Sequence, residues 1–156
     1  MKVMGIDCST KKLAIVIIEN KKITSAVELV SDKGEMNERV VDLYDKFLDH
    51  MHDLDDAMKK PDCVYVEQAV YVKNIKTTLG IDAVVNAVRF ISHDFDIPCF
   101  IIDNKHWKLQ VCGNGKAEKT EIMQFAKLKF GEAKLTSQDI ADAACIALCG
   151  YEKVGK

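Results

Sequence analysis

The spacing of apolar and polar positions changes period along the chain, and each change marks an element. Over residues 2–8, Val3, Gly5 and Asp7 alternate with Met4 and Ile6, the period of a strand, and the run Leu13 to Glu19 is an apolar ribbon of Leu-Ala-Ile-Val-Ile-Ile. Only Ser9, Thr10, Lys11 and Lys12 separate the two, which predicts an antiparallel hairpin. A tight turn at Asn20, Lys21 and Lys22 leads to a third strand, Ile23 to Val30, completing a meander. From Met36 the apolar positions are Val40, Leu43, Tyr44, Phe47, Leu48, Met51, Leu54 and Met58, a three-and-four spacing that predicts one amphipathic helix. Its other face carries Asp42, Asp45, Asp49, Asp53 and Asp56 and reads as solvent-facing. Pro61 stops that helix, and Cys63 to Glu67 reads as a short buried strand. A polar connection, Gln68 to Lys76, precedes a helix through Leu79, Val84, Val85, Ala87, Val88, Ile91 and Phe95 that is apolar on more than one face. Pro98 to Ile102 is a strand and Asn104 to Val111 a helix, which Gly113-Asn114-Gly115 breaks. A further helix is expected from Lys116 to Phe130, and a last one from Ile140 to Tyr151 with Ser137 as its N-cap.

A strand reached through a helical crossover lies parallel to an earlier strand, most simply beside the first. The pattern therefore predicts an α/β fold: a mixed five-stranded sheet, built from a three-stranded antiparallel meander plus two parallel strands, flanked by helices. With 156 residues, 48% hydrophobic and 29% charged, residues 1–156 read as one globular domain. No apolar run approaches the ~20 residues of a membrane span, and the N-terminus lacks a signal-peptide core, so no membrane partner and a cytoplasmic location are expected. The six cysteines form no Cys-x-x-Cys pair and the four histidines show no zinc spacing, so the cysteines read as reduced core residues. A net charge of −2 argues against nucleic acid, but residues 35–60 hold eight acidic against four basic residues, whereas residues 103–134 hold seven lysines against four acids. Such separation lets an acidic protein present one basic face, although ordinarily solvated helix faces would look the same.

Four carboxylates change the picture further. Asp7 ends the first strand and Glu67 ends the strand expected beside it, which puts both at one edge of the sheet. Asp139 and Asp142 are three apart and so neighbours on one face of the last helix. Each has an ordinary alternative: Asp7 as a turn cap, Glu67 as a strand-end surface residue, the two aspartates as partners of the helix dipole. If the four converge, they repel and raise one another's pKa, and a divalent cation relieves this. All-oxygen ligands suit Mg²⁺, with Mn²⁺ as a substitute, and two such ions about 4 Å apart support in-line phosphodiester hydrolysis.

The residues also carry a resemblance. Gly5-Ile6-Asp7, Val66-Glu67-Gln68 followed by Lys73-Asn74, Gly113-x-Gly115-x-Ala117-Glu118-Lys119, and Gln138-Asp139-Ile140-Ala141-Asp142-Ala143 resemble, in order and spacing over nearly the whole chain, the RuvC-type Holliday-junction resolvases of the ribonuclease H-like superfamily. The resemblance implies a homodimer that binds four-way DNA junctions and makes paired nicks. It implies Asp7, Glu67, Asp139 and Asp142 as the metal-binding acids, and Lys108 and Lys119 as groups near the scissile phosphate. The residues themselves place Lys119 in the first turn of a helix entered through a glycine turn, where free backbone N–H groups favour phosphate. For Lys108 an ordinary helix-surface role is equally open. Lys11, Lys12, Lys73, Lys76, Lys105 and Lys116 are assigned to contact with the DNA backbone.

Two departures from the family pattern stand out. Cys8-Ser9-Thr10 follows Asp7 where bacterial members commonly have Pro-Gly-Ser, and Val70 stands where they tend to place a junction-opening phenylalanine, with Tyr71 one residue later. A permissive, phage-like resolvase acting on forks and other branches is expected. Three rivals share parts of the pattern: a ribonuclease H-like nuclease on hybrid or linear duplex, an actin-like sugar-kinase domain with Gly5 to Thr10 as its phosphate loop, and a non-catalytic branched-DNA-binding protein.

Overall fold

The computed structural model describes residues 1–71 and 73–154. Strands β1 (Lys2–Cys8), β2 (Lys12–Glu19) and β3 (Lys22–Val30) form the meander, followed by helix α1 (Met36–Asp56), strand β4 (Cys63–Glu67), helix α2 (Ile75–Asp94) and strand β5 (Cys99–Ile102). Helices α3 (Asn104–Cys112), α4 (Lys119–Phe130) and α5 (Gln138–Val154) complete the chain, with a short 3₁₀ turn at Glu132–Lys134. The sheet order is β3-β2-β1-β4-β5; β1 and β3 pair antiparallel to β2, and β4 lies parallel to both β1 and β5. This is the mixed sheet expected from the hydrophobic pattern.

Alternation along the strands divides the core in two. Met4, Ile6, Leu13, Ile15, Ile17, Val64 and Val66 face α1 and α2 through Leu43, Phe47, Met51, Val84, Val88 and Ile91. Val3, Ala14, Val16, Ile18, Cys63 and Tyr65 face the other way, toward the buried length of α5, Trp107 and Ile122. The aspartate-rich face of α1 thus looks outward on the side of the sheet away from α5. Asp45, Asp49, Asp53 and Asp56 are exposed there, while Asp42 is half-buried and bonded to Lys46 at 2.9 Å.

Helix α5 sits unusually close to β1. A Cβ on Gly5 would come under 3.0 Å from backbone atoms of Ala143 and Ala147, and one on Gly150 would enter the ring of Tyr65. At Gly5 the seat is backbone on backbone, so neither partner can yield by a rotamer change. All residues from Ala143 to Gly150 are buried, which explains why this helix is built from small side chains.

Of the boundaries that differ from the sequence expectation, three have a visible cause. Helix α1 ends at Asp56, and Met58, expected in its apolar stripe, is 87% exposed. Its φ of 56° places it in a left-handed turn in which the Lys59 N–H bonds back to Leu54 O at 2.7 Å, which closes the helix two residues early. Helix α4 starts at Lys119 rather than Lys116, because the Asn114 side chain accepts from the Lys116 N–H and its carbonyl from the Ala117 N–H, holding residues 114–117 as a turn. Helix α5 begins at Gln138, two residues before Ile140; Ser137 does cap it, accepting from the Ile140 N–H at 3.1 Å.

Gly5→Ala should force α5 away from the sheet and cost about 2–3 kcal/mol of stability. Gly34→Ala, where an added Cβ meets nothing within 4 Å, should leave the urea midpoint within the error of measurement. Equal midpoints for the two variants would contradict the seat described here.

Candidate active site

Residues that alternate with the same phase share a face of the sheet. Asp7 follows Val3 and Gly5, and Glu67 follows Cys63 and Tyr65, so both carboxylates end adjacent parallel strands on the α5 side. Helix α5 runs away from this edge. Ala143 and Ala147 sit over Gly5, which sets the preceding turn, with Asp139 and Asp142, toward Asp7. The hairpin and crossover geometry therefore brings together acids from β1, β4 and α5.

Their electrostatics record the convergence. Burial raises Asp7 from 3.8 to about 8, and the charges of Glu67, Asp142 and Asp139 push the same way, with Lys119 opposing. Burial also raises Asp142 to about 6; a bond from the Gln138 side chain at 2.8 Å and the charge of Lys108 oppose this, while Glu67 and Asp139 add to it. Glu67 is raised by burial and held down by side-chain bonds from Asn104 and Trp107 and by Lys108. The Asn104 amide donates to Glu67 Oε1 at 2.6 Å and the Trp107 indole N–H to Oε2 at 3.0 Å.

Asp139 is placed differently. It lies at the rim, its side chain 36% exposed, and Lys12 Nζ sits 2.6 Å from its Oδ2. The same ammonium reaches Glu28 Oε1 at 3.1 Å, and that oxygen accepts from the Ser137 hydroxyl at 2.5 Å. Lys12, assigned from sequence to the DNA backbone, is thus half-buried in an ion pair within the site. The reason is phase: Lys12 precedes Ala14 on β2 and Glu28 pairs with Ala14 across β3, so all three face α5.

The remaining cations divide by exposure. Lys108 is half-buried, its Nζ 5.6 Å from the centre of the Trp107 ring, and its charge reaches Glu67 and Asp142. Lys119 is exposed at the start of α4 and reaches Asp7. The start of that helix is not a bare phosphate cradle, however. Glu118 and Glu121 form a reciprocal capping box that occupies two of the first N–H groups, so attraction for phosphate there comes from the lysine ammonium. Lys11, Lys73, Lys76, Lys105, Lys116 and Tyr71 are all exposed, Tyr71 at 77%. Lys11 lies on the β1–β2 turn, which Arg39 holds by donating to Thr10 O at 3.0 Å.

Asn104, Trp107 and Gln138 bond to the acids, Glu28 and Ser137 join them through Lys12, and none of the five was singled out as a site residue from sequence. The lone tryptophan, three residues after Asn104 and next to Lys108, was the available signal; Glu28 had none, because only strand register brings it near Asp139.

The donor set fits hard divalent cations: oxygen ligands, three of them (Asp7, Glu67 and Asp142) pushed up by burial. No group of three or more His, Cys, Asp or Glu among the described residues closes tightly enough to hold a metal ion. Such closure is not needed for Mg²⁺, which keeps several waters and takes phosphate oxygens beside one or two carboxylates. All six cysteines are free. Among the described residues no helix is long and apolar enough to cross a membrane.

Comparison with known proteins places this geometry. The crossover junction endodeoxyribonuclease RuvC of Carboxydothermus hydrogenoformans is 27% identical over 159 residues, covering 99% of this chain and 98% of its own length. The structure of Thermus thermophilus RuvC in complex with a Holliday junction substrate superposes with a TM-score of 0.81 at 21% identity, covering 99% of this chain and 96% of that one. The yeast mitochondrial Holliday junction resolvase gives 0.58 at 15% identity, covering 94% and 77%. A family model described as crossover junction endodeoxyribonuclease RuvC matches residues 3–150. This chain, from the first strand to the last helix, belongs to the RuvC family.

Proposed function

We propose that this chain is a metal-dependent endonuclease that resolves four-way DNA junctions, acting as a homodimer that makes paired nicks. The observation that carries the chemistry is the edge where burial raises Asp7, Glu67 and Asp142 together, with the charges of Glu67 and Asp142 adding to Asp7, while the charges of Lys108 and Lys119 oppose the rise. Asp7, Glu67, Asp142 and Asp139 would hold Mg²⁺, or Mn²⁺ in its place. Two bound ions would supply a nucleophile at neutral pH and charge neutralisation at the leaving oxygen.

The residues themselves do the following. Asn104, Trp107 and Lys108 hold Glu67 down, and Gln138 and Lys108 hold Asp142 down, against the burial that raises both, which favours the charged carboxylates a cation would need. Asp7, pushed up to about 8, is the acid whose charged form a bound cation would favour most. Lys119 brings an exposed ammonium to the Asp7 side, where it favours charge developing on a phosphoryl group. Exposed Lys11, Lys73, Lys76, Lys105 and Lys116 contact the DNA backbone, which gives salt-dependent affinity without sequence readout. Tyr71, exposed after β4, offers a stacking face for an unpaired base.

Dimerisation is supported by α2. Ile75 and Leu79 are 66% and 62% exposed and Phe90 65%. With exposed Ala83 between them they recur at four, four and seven residues, an apolar stripe along one side of the helix. A groove of about 600 Å³ runs beside it between α1 and α2, lined by Met36, Val40, Val41, Leu79 and Ala83.

On an immobile four-way junction, wild type should nick symmetrically with Mg²⁺ and not with EDTA. Glu67→Gln should bind the junction and cut at least about 100-fold more slowly, the several kcal/mol that a displaced metal represents. Junction bound but never cut under any metal would leave only the non-catalytic DNA-binding reading.

The pKa of Asp7 has a stability consequence. The unfolded chain loses this proton near 3.8 and the folded one near 8, so between these values the folded state binds more protons and stability falls as pH rises. In chelator, wild type should lose on the order of 2–4 kcal/mol from about pH 4 to about pH 8 through this group. Asp7→Asn should be flatter with pH, more stable at about pH 8, and less responsive to added Mg²⁺. Parallel urea midpoints for the two proteins across this range would contradict the buried-acid account.

In sedimentation, wild type should run as a dimer and Leu79→Glu should shift toward monomer, with nicks on a junction becoming unpaired. A Leu79→Glu dimer as tight as wild type would move the interface elsewhere.

A further inference from the structure

Glu67 differs from the other acids in how completely it is fixed. Each of its carboxylate oxygens accepts one bond, Oε1 from Asn104 Nδ2 at 2.6 Å and Oε2 from Trp107 Nε1 at 3.0 Å. Both donors come from the first turn of α3, three residues apart and therefore on one side of the helix. That turn is itself fixed. The Asp103 side chain caps it by accepting from the His106 N–H at 3.1 Å, and the chain leaves β5 only at Ile102, whose carbonyl accepts from the Gln68 N–H at 2.8 Å, one residue past Glu67.

We propose that Asn104 and Trp107 are positioning residues: a two-donor clamp that fixes both oxygens of Glu67 and thereby sets its affinity for a divalent cation. The proposal rests on the reading of Glu67 as a metal-binding acid. A carboxylate oxygen has room for about two acceptor contacts, so one bond at each oxygen leaves a second direction open on both. A metal-binding carboxylate is oriented by such outer partners, whose loss ordinarily costs about 10–100-fold in metal affinity or activity.

Trp107 suits the role because it cannot move away. It is fully buried, its indole nitrogen is a donor only, and its ring also carries Lys108 above it. A buried indole always seeks an acceptor, but most find a backbone carbonyl or water. This one is aimed at a carboxylate at the end of a strand, and a second donor on the same turn takes the other oxygen. Satisfying the indole alone would not require Asn104.

The test measures Mn²⁺ binding by the signal of the free ion in electron paramagnetic resonance, without DNA, in wild type, Glu67→Gln, Trp107→Phe and Asn104→Ala. Trp107→Phe keeps most of the buried ring and removes the donor, and half-buried Asn104→Ala leaves the core untouched should the tryptophan variant fold poorly. Both variants should bind Mn²⁺ about 10-fold more weakly, and neither should add to the loss already caused by Glu67→Gln. On junction DNA, kcat should fall with KM within twofold. If Glu67→Gln weakens Mn²⁺ while Trp107→Phe and Asn104→Ala bind like wild type, the clamp is wrong and Glu67 remains a ligand. If Glu67→Gln itself binds like wild type, Glu67 is no ligand, and the clamp is overturned with it.

Discussion

Helix α5 can rest on β1 only because position 5 has no side chain. Backbone atoms of Ala143 and Ala147 occupy the space a Cβ would need, and the same helix presses Gly150 against the Tyr65 ring. This contact fixes how far along the sheet the helix begins. One turn earlier lie Asp139 and Asp142, and two residues later on the strand lies Asp7. The close seat is thus a packing constraint with a chemical result, since any larger residue at Gly5, Ala143 or Ala147 would lift the acids of α5 off the acid of β1.

What the packing brings together, electrostatics resists. A carboxyl whose pKa is driven to about 8 by burial and like charge is a cost that a core designed for stability alone would avoid. The fold limits the cost unevenly. Glu67 receives two donors, Asp142 one from Gln138, and Asp139 an ammonium from Lys12. Asp7 is left raised to about 8, so on the proposed reading it is the group that would gain most from a cation. Such a trade of stability for a functional centre is common where activity needs strained or repelling groups.

The cations show the same division between scaffold and surface. Lys12 is tied into the site, Lys108 is stacked over the only tryptophan, and the remaining candidate lysines are exposed. The acidic helix α1 occupies the opposite face of the sheet, so a chain with a net charge of −2 keeps its negative surface away from the edge where phosphate would approach.

The meander, the two parallel strands, the place of β4 beside β1 and the acids at the ends of β1 and β4 were legible in the sequence, because strand alternation and helix periodicity are local signals that burial imposes on each segment separately; the place of β5 outside β4 was not. Family membership was legible for a related reason: the motif spacing around Gly5, Glu67, Lys119 and Asp139 spans the whole chain. Helix ends were less so. Met58 continues an apolar spacing yet turns left-handed into solvent, and Lys116 belongs to an Asn114 turn, since helix termini are decided by one or two backbone hydrogen bonds rather than by periodicity. Most partners of the acids were not legible, the i,i+4 pair of Gln138 with Asp142 and the lone tryptophan being the local signals there were. Glu28 meets Lys12 and Ser137 through strand register, and Trp107 meets Glu67 because α3 starts directly beyond β5. Those contacts join residues 16 to 109 positions apart, and only the assembled sheet and its helices decide them.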